Sequence, residues 1–196
     1  RIRKGAVLFH EDSAATEVFL LQKGRVKITS TSESGRETLL AVRGPGDLLG
    51  EISALDGARR SAAATAIDSV ELVAVTSEAF VDILGRHPGA GLALVRVLTG
   101  RLRDADRKRA EFGTADASVR VARRLLELAE RYGVVTDDGV RIDLALTQDE
   151  LASWTGASRE AVAKALRALR EDGTVATGRK AVTVTDLDRL RSRAGE

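Results

Sequence analysis

The chain contains no cysteine and no methionine, and only two of its 196 residues are histidines, His10 and His87. Without cysteine there is no disulfide framework, no thiolate zinc site and no cysteine-ligated iron–sulfur cluster. Two histidines so far apart in sequence argue against a His-based metal or haem site within one chain, so no metal cofactor is expected. No apolar run is long enough to span a bilayer and no signal peptide opens the chain, which makes a soluble, cytoplasmic protein without a membrane partner the expectation. With Arg1 first and methionine absent, the chain reads as opening inside a folded element, its N-terminal residues incomplete. A strong charge of one sign is also missing: the formal net charge is +2, so bulk electrostatics give no argument for nucleic acid.

Apolar residues make up 43% of the chain and charged residues 31%, enough for a packed core and too much apolar content for disorder. The length suits one large or two small domains. Up to about residue 76 the pattern is of short alternating strands: Ala6–Phe9, Glu17–Leu21, Arg25–Ser30, Glu37–Val42, Ser61–Ile67 and Val70–Thr76. Turn residues separate them at Lys23-Gly24, Ser34-Gly35, Gly44-Pro45-Gly46 and Asp56-Gly57, which predicts a β-sandwich or barrel. Short helices are expected near Glu51–Leu55 and Ser77–Leu84, the second capped by Ser77.

Pro88 to about Phe112 reads as one long helix. Val95, Leu98, Leu102, Ala105 and Phe112 fall at alternating steps of three and four, with Arg109 in one seam position. That spacing fits a helix paired with a second copy; an amphipathic helix packed on its own domain is the other reading. After a break near Gly113-Thr114, Asp116 or Ser118 caps a helix whose Val119, Val121, Ala122, Leu125, Leu126, Leu128 and Ala129 form an apolar face ending near Tyr132-Gly133. A turn over Thr136–Gly139 and a strand over Val140–Leu144 follow.

Two segments carry chemistry. In Gly50-Glu51-Ile52-Ser53, a glycine permits close backbone approach and opens a short helix whose N–H groups point at an anion. Arg60 brings a planar fork suited to phosphate oxygens and Ser61 a hydroxyl. Farther on, Thr147-Gln148-Asp149-Glu150 has the form of a capping box, Thr155-Gly156-Ala157 a tight turn, and Ser158 a new cap. Arg159, Glu160, Lys164 and Arg167 then fall outside, with Ala161, Val162, Ala165, Leu166 and Leu169 inside. Short helix, glycine turn and capped helix predict a helix-turn-helix. Gly173–Thr177 and Ala181–Thr185, joined by Gly178-Arg179-Lys180, read as a wing with a basic tip.

The order of these pieces resembles the Crp/Fnr family of bacterial transcription regulators over nearly the whole chain. Gly24-Arg25-Val26 matches its early glycine turn. Gly46-Asp47 precedes Gly50-Glu51-Ile52 at the spacing of its cyclic-nucleotide cassette, which Arg60-Ser61-Ala62 closes, and Gly156-Ala157-Ser158-Arg159-Glu160-Ala161-Val162 matches its recognition helix. The resemblance implies an α+β protein. It would have a cyclic-nucleotide-binding jelly-roll β-sandwich over residues 1–86, a dimerisation helix over 87–113 and a winged helix-turn-helix over 114–196. It further implies that Gly50, Glu51, Ile52, Ser53, Arg60 and Ser61 hold cAMP, with Glu51 on the ribose 2′-hydroxyl and Arg60 and Ser61 on the cyclic phosphate. Thr147, Gln148, Ser158, Arg159, Glu160, Lys164, Arg179 and Lys180 would meet double-stranded DNA at a pseudo-palindromic operator, Arg159 and Glu160 reaching base edges. The partners would be a second copy of the chain and RNA polymerase. Asp12 stands where many members have a turn glycine. Ala105 and Asp106 stand where nucleotide-responsive members place two polar residues against the base. Asp106 either accepts from an adenine amine or pairs with Arg103 or Arg109. A regulator answering another effector, or none, stays open. A small metal-dependent barrel enzyme lacks its ligand cluster, and there is neither a Ser/His/Asp arrangement nor a Walker-type loop, so no enzyme is expected.

Overall fold

The computed structural model describes residues 1–33, 35–143, 146–178 and 181–196. The chain folds into two compact units, Arg1–Lys108 and Arg109–Glu196.

The first unit is built from strands whose registers follow the alternation of the sequence. β1 (Val7–Phe9), β6 (Ala63–Ala66), β3 (Val26–Thr31) and β4 (Glu37–Arg43) form one antiparallel sheet in that order. A second sheet runs β5 (Leu48–Leu49), β2 (Glu17–Lys23), β7 (Glu71–Thr76), also antiparallel. Phe19, Leu21, Val26, Leu49, Ala64, Ala66 and Val70 fill the space between them. β2 is buried on both faces: Phe19 and Leu21 enter that core, while Val18 packs with Phe80 of α2 (Ser77–Arg86) and Leu94 of α3 (Pro88–Thr114). Val18, Phe19 and Leu21 of the apolar run Val-Phe-Leu-Leu meet that double cover, while Leu20 stays exposed. The sandwich expected from the sequence is the sandwich found, with strand ends moved by a residue or two. The exception is β5, two residues long and too short for periodicity to reveal.

Details of capping differ from expectation. Thr76, not Ser77, caps α2 by accepting from Ala79 N, and Ser77 Oγ instead donates to Ala15 O at 2.8 Å. Asp12 takes up the left-handed backbone, φ +60, in place of a glycine, a conformation that short Asp side chains tolerate.

Helix α3 runs through Gly113 and ends at Thr114, so the break expected there falls at Ala115-Asp116 before the next helix. Its expected seam is divided among several neighbours. Leu98 packs within the first unit against the Val18–Phe80–Leu94 cluster, whereas Leu102, 62% exposed, and Val95 meet solvent.

In the second unit α4 (Ala117–Tyr132) buries Val121, Ala122, Leu125, Leu126, Leu128 and Ala129, all on the face read from the sequence. α5 (Gln148–Thr155), α6 (Arg159–Glu171) and α7 (Leu187–Ala194) pack on it. β8 (Val134–Thr136), β9 (Gly139–Ile142), β10 (Val175–Gly178) and β11 (Ala181–Val184) form a sheet in the order β10-β11-β9-β8. β8 and α7 were not anticipated. β8 is short and exposed, and α7 buries only Leu190 and Ala194. Leu144, Arg179, Lys180 and Ser34 of the expected strand end, wing tip and turn lie outside the described residues. No helix among the described residues is long and apolar enough to cross a membrane.

Gly24 joins β2 to β3 with φ +78, and a Cβ there would overlap the Ser69 carbonyl oxygen. Gly24→Ala therefore combines left-handed strain with a clash against backbone, which cannot give way cheaply. The expected loss, read by urea denaturation, is about 2 kcal/mol or more.

Candidate ligand cavity and DNA-reading helix

The cavity of the first unit begins where β5 runs into α1 (Glu51–Asp56). Gly50 caps that helix at φ +79, a conformation that turns the chain sharply and that glycine adopts without strain. Removing the Cβ also makes room for Arg60: an added methyl would overlap its guanidinium. Arg60 is only 2% exposed. Its Nη1 donates to Gly50 O at 2.8 Å, its Nη2 to Glu17 O, and its guanidinium lies 4.4 Å from the centre of the Phe9 ring. The buried Nε has no hydrogen-bond partner among the described residues. Burial lowers the Arg60 pKa from its ordinary value, while the Glu51 and Glu17 carboxylates oppose the shift.

Glu51, likewise 2% exposed, accepts from Arg101 Nη1 at 2.5 Å, and Arg101 Nη2 donates to Leu48 O at 2.8 Å. A carboxylate withdrawn from water needs such a charge-assisted partner. Ser53, also buried, donates to Arg59 O at 3.2 Å. A cavity of about 320 Å³ opens beside this turn. Gly50, Glu51, Ile52, Ser53 and Ser61 line it, as do Arg101, Asp104, Ala105 and Lys108 of α3. Those four helical positions follow the i, i+3, i+4, i+7 pattern of a single face.

Five of the expected ligand residues thus share one cavity. The other two stand apart from its wall. Arg60 sits behind Phe9 and Gly50, held by the two carbonyls. Asp106 is exposed and off the lining face, because one helical step beyond Ala105 turns the side chain by about 100°. Neither Arg103 nor Arg109 pairs with Asp106 among the described residues. Arg101, Asp104 and Lys108 are not among the residues expected from the sequence; their charged i, i+3, i+7 spacing is the one signal it offers for them.

In the second unit Thr147 accepts from Glu150 N at 3.1 Å, and Glu150 accepts from Thr147 N at 2.7 Å, closing the capping box at the head of α5. Gly156 ends α5 at φ +59. Ser158 then caps α6, accepting from Ala161 N at 3.1 Å. Val162, Ala165 and Leu169 turn inward. Arg159, 64% exposed at its side chain, Glu160, Lys164 and Arg167 face outward, with Thr147, Gln148 and Ser158 also exposed. Arg159 Nε lies 3.8 Å from Asp149 Oδ1 on α5. Hydrogen bonds from its own backbone N–H and then from the Ser158 hydroxyl hold the Glu160 carboxyl below its usual pKa, so it stands as an ionised acceptor. Arg170 Nη1 donates to Thr177 Oγ1 at 3.3 Å, tying α6 to β10. Arg179 and Lys180 lie outside the described residues.

A β-sandwich with a cavity beside the Gly50 turn and a winged helix-turn-helix with an outward Arg–Glu pair define a ligand-sensing DNA-binding regulator. The cyclic nucleotide-binding domain family matches residues 1–87, and the Crp-like helix-turn-helix domain family matches residues 119–193. Over 191 residues the chain is 36% identical to the CRP-like cAMP-activated global transcriptional regulator of Mycobacterium tuberculosis, covering 97% of this chain and 85% of that one. It is 30% identical to the global nitrogen regulator of a Synechocystis species, covering 92% and 81%. A CRP-family transcriptional regulator of Thermus thermophilus superimposes with a TM-score of 0.84 at 26% identity, covering all of this chain and 96% of that one. The chain belongs to the Crp/Fnr family of transcription regulators.

Arg60→Met removes both donors and leaves the Gly50 and Glu17 carbonyls to find others. A stability loss of about 2–4 kcal/mol is expected in urea denaturation, whereas Ser61→Ala at the exposed cavity rim should stay within about 0.5 kcal/mol.

Proposed function

We propose that this regulator works as a homodimer whose affinity for DNA is set by cAMP bound in the cavity of the first unit. The observation that carries the reading is the Gly50–Ser53 turn, which opens with Ser61 onto a cavity of about 320 Å³ and has a buried guanidinium behind it. The turn's amides and the Ser61 hydroxyl suit the cyclic phosphate. Arg60 adds positive charge and can exchange its carbonyl contacts for a charge-assisted bond to phosphate. Glu51, held in place by Arg101, suits the ribose 2′-hydroxyl. Exposed Val95 and Leu102 offer a dimer surface on α3, across which Asp106 can reach the partner's ligand. Arg159 and Glu160 read bases, with Thr147, Gln148, Ser158, Lys164, Arg179 and Lys180 on or near phosphates. Two such helices must sit about 34–36 Å apart to meet successive major grooves, and ligand acts by favouring one spacing. RNA polymerase as protein partner and a cytoplasmic location belong to this same reading.

A second reading keeps DNA binding and changes the effector. Ala105 offers the cavity no hydrogen bond, and the nitrogen regulator shows a relative named for another input. A thermal-shift panel separates the two. Nucleotide at 100 times its dissociation constant adds about 2.7 kcal/mol of stability, so cAMP should raise the melting temperature by several degrees. No shift with cAMP beside a clear shift with another nucleotide would transfer the site to that ligand.

A further inference from the structure

The last turn of α3 is fastened to the helix-turn-helix at two adjacent residues. Glu111 is buried and accepts from Arg124 Nη2 at 2.8 Å, with Arg123 Nη1 at 3.3 Å. Arg124, itself buried, also donates to Glu127 at 2.6 Å and lies 5.9 Å from the centre of the Trp154 ring on α5. The neighbouring Phe112 sets its ring on Gly156: a Cβ on that glycine would come within 2.6 Å of Phe112 Cε1. Arg120 closes the group. Its guanidinium lies 5.8 Å from the centre of the Phe112 ring, and it donates to Thr155 O at 2.6 Å, to Gly156 O at 3.2 Å and to Ala115 O.

Two features distinguish this group from ordinary core packing. Phe112 is 51% exposed, so its ring contributes little burial and yet sits against the turn without slack. The Glu111–Arg124 pair is ionic and withdrawn from water, an arrangement that adds less stability than a well-packed apolar pair but has strong geometric requirements. Gly156 leads through Ala157 directly to Ser158, the cap of the DNA-reading helix, and to Arg159. We infer that Glu111 and Phe112 are positioning residues for DNA recognition: they fix the turn at Gly156 and with it the aim of Arg159 and Glu160. This rests on the DNA-binding reading given above.

The test uses the full chain with a duplex that the unmodified protein selects from a random pool, and reads DNA affinity alongside emission from Trp154, the only tryptophan. Phe112→Ala should weaken binding to the selected duplex at least tenfold, change non-specific affinity less than twofold and shift Trp154 emission. Phe112→Tyr, which keeps a ring against Gly156, should recover binding to within about threefold. Glu111→Gln should lower the specific-to-non-specific ratio in the same direction. Circular dichroism confirms that each variant is folded. An unchanged ratio in Phe112→Ala, or equal losses on both duplexes, would overturn the inference while leaving DNA binding intact. Selection of no duplex by the unmodified protein would overturn the DNA-binding reading and this inference with it.

Discussion

A guanidinium cannot be taken out of water unless acceptors and charge go with it. Arg60 meets that demand in part, its two terminal nitrogens bridging the carbonyls of Glu17 on β2 and Gly50 at the head of α1, under the negative field of Glu51 and against the face of Phe9, while its Nε has no partner among the described residues. One buried cation thereby joins the second sheet to the turn that faces the cavity. The demand reaches back into the sequence. Glycine at position 50 adopts the left-handed backbone without strain and leaves the guanidinium the space a side chain would take. Glu51 in turn draws Arg101 from α3, so the long helix is connected to the same turn by charge as well as by the apolar contacts of Leu94 and Leu98.

The second unit repeats the device. A buried arginine, Arg124, is satisfied by Glu111 and Glu127, and a left-handed glycine, Gly156, takes a neighbouring ring where a side chain would stand. Each unit thus combines a buried arginine with a left-handed glycine that precedes a helix, Gly50 before α1 and Gly156 before α6. Such contacts have sharply defined geometry, and therefore hold one arrangement in preference to many.

Much of this was legible in the sequence. Alternation gave the strands of the sandwich, and helical periodicity gave the buried face of α4 because its apolar stripe is wide and unbroken. The capping box at Thr147 and the caps at Ser158 and Gly156 are short-range chemistry and were read directly. The cavity's own face of α3 was not. Arg101, Asp104 and Lys108 are charged, and periodicity reasoning assigns charged positions to solvent. Spacing shows that Leu98, Leu102 and Phe112 share a stripe, but not that Leu98 packs within the first unit, that Phe112 rests on Gly156 and that Leu102 is left exposed. Asp106 follows Ala105 in sequence but points away from the cavity of its own chain, because a helix sends neighbours in different directions. Thr76 and Ser77 show the same limit at smaller scale, since two adjacent hydroxyls compete for one cap and tertiary contact with Ala15 decides between them.

The account depends on communication between nucleotide and operator, and communication between two sites is a free energy that each site must feel equally. The most direct measurement closes that cycle in the full chain: the dissociation constant for a selected operator duplex without and with saturating cyclic nucleotide, and that for the nucleotide without and with the duplex. The account predicts the same factor on both arms, at least about fivefold. Operator affinity that is unchanged by a nucleotide shown to occupy the cavity would contradict it.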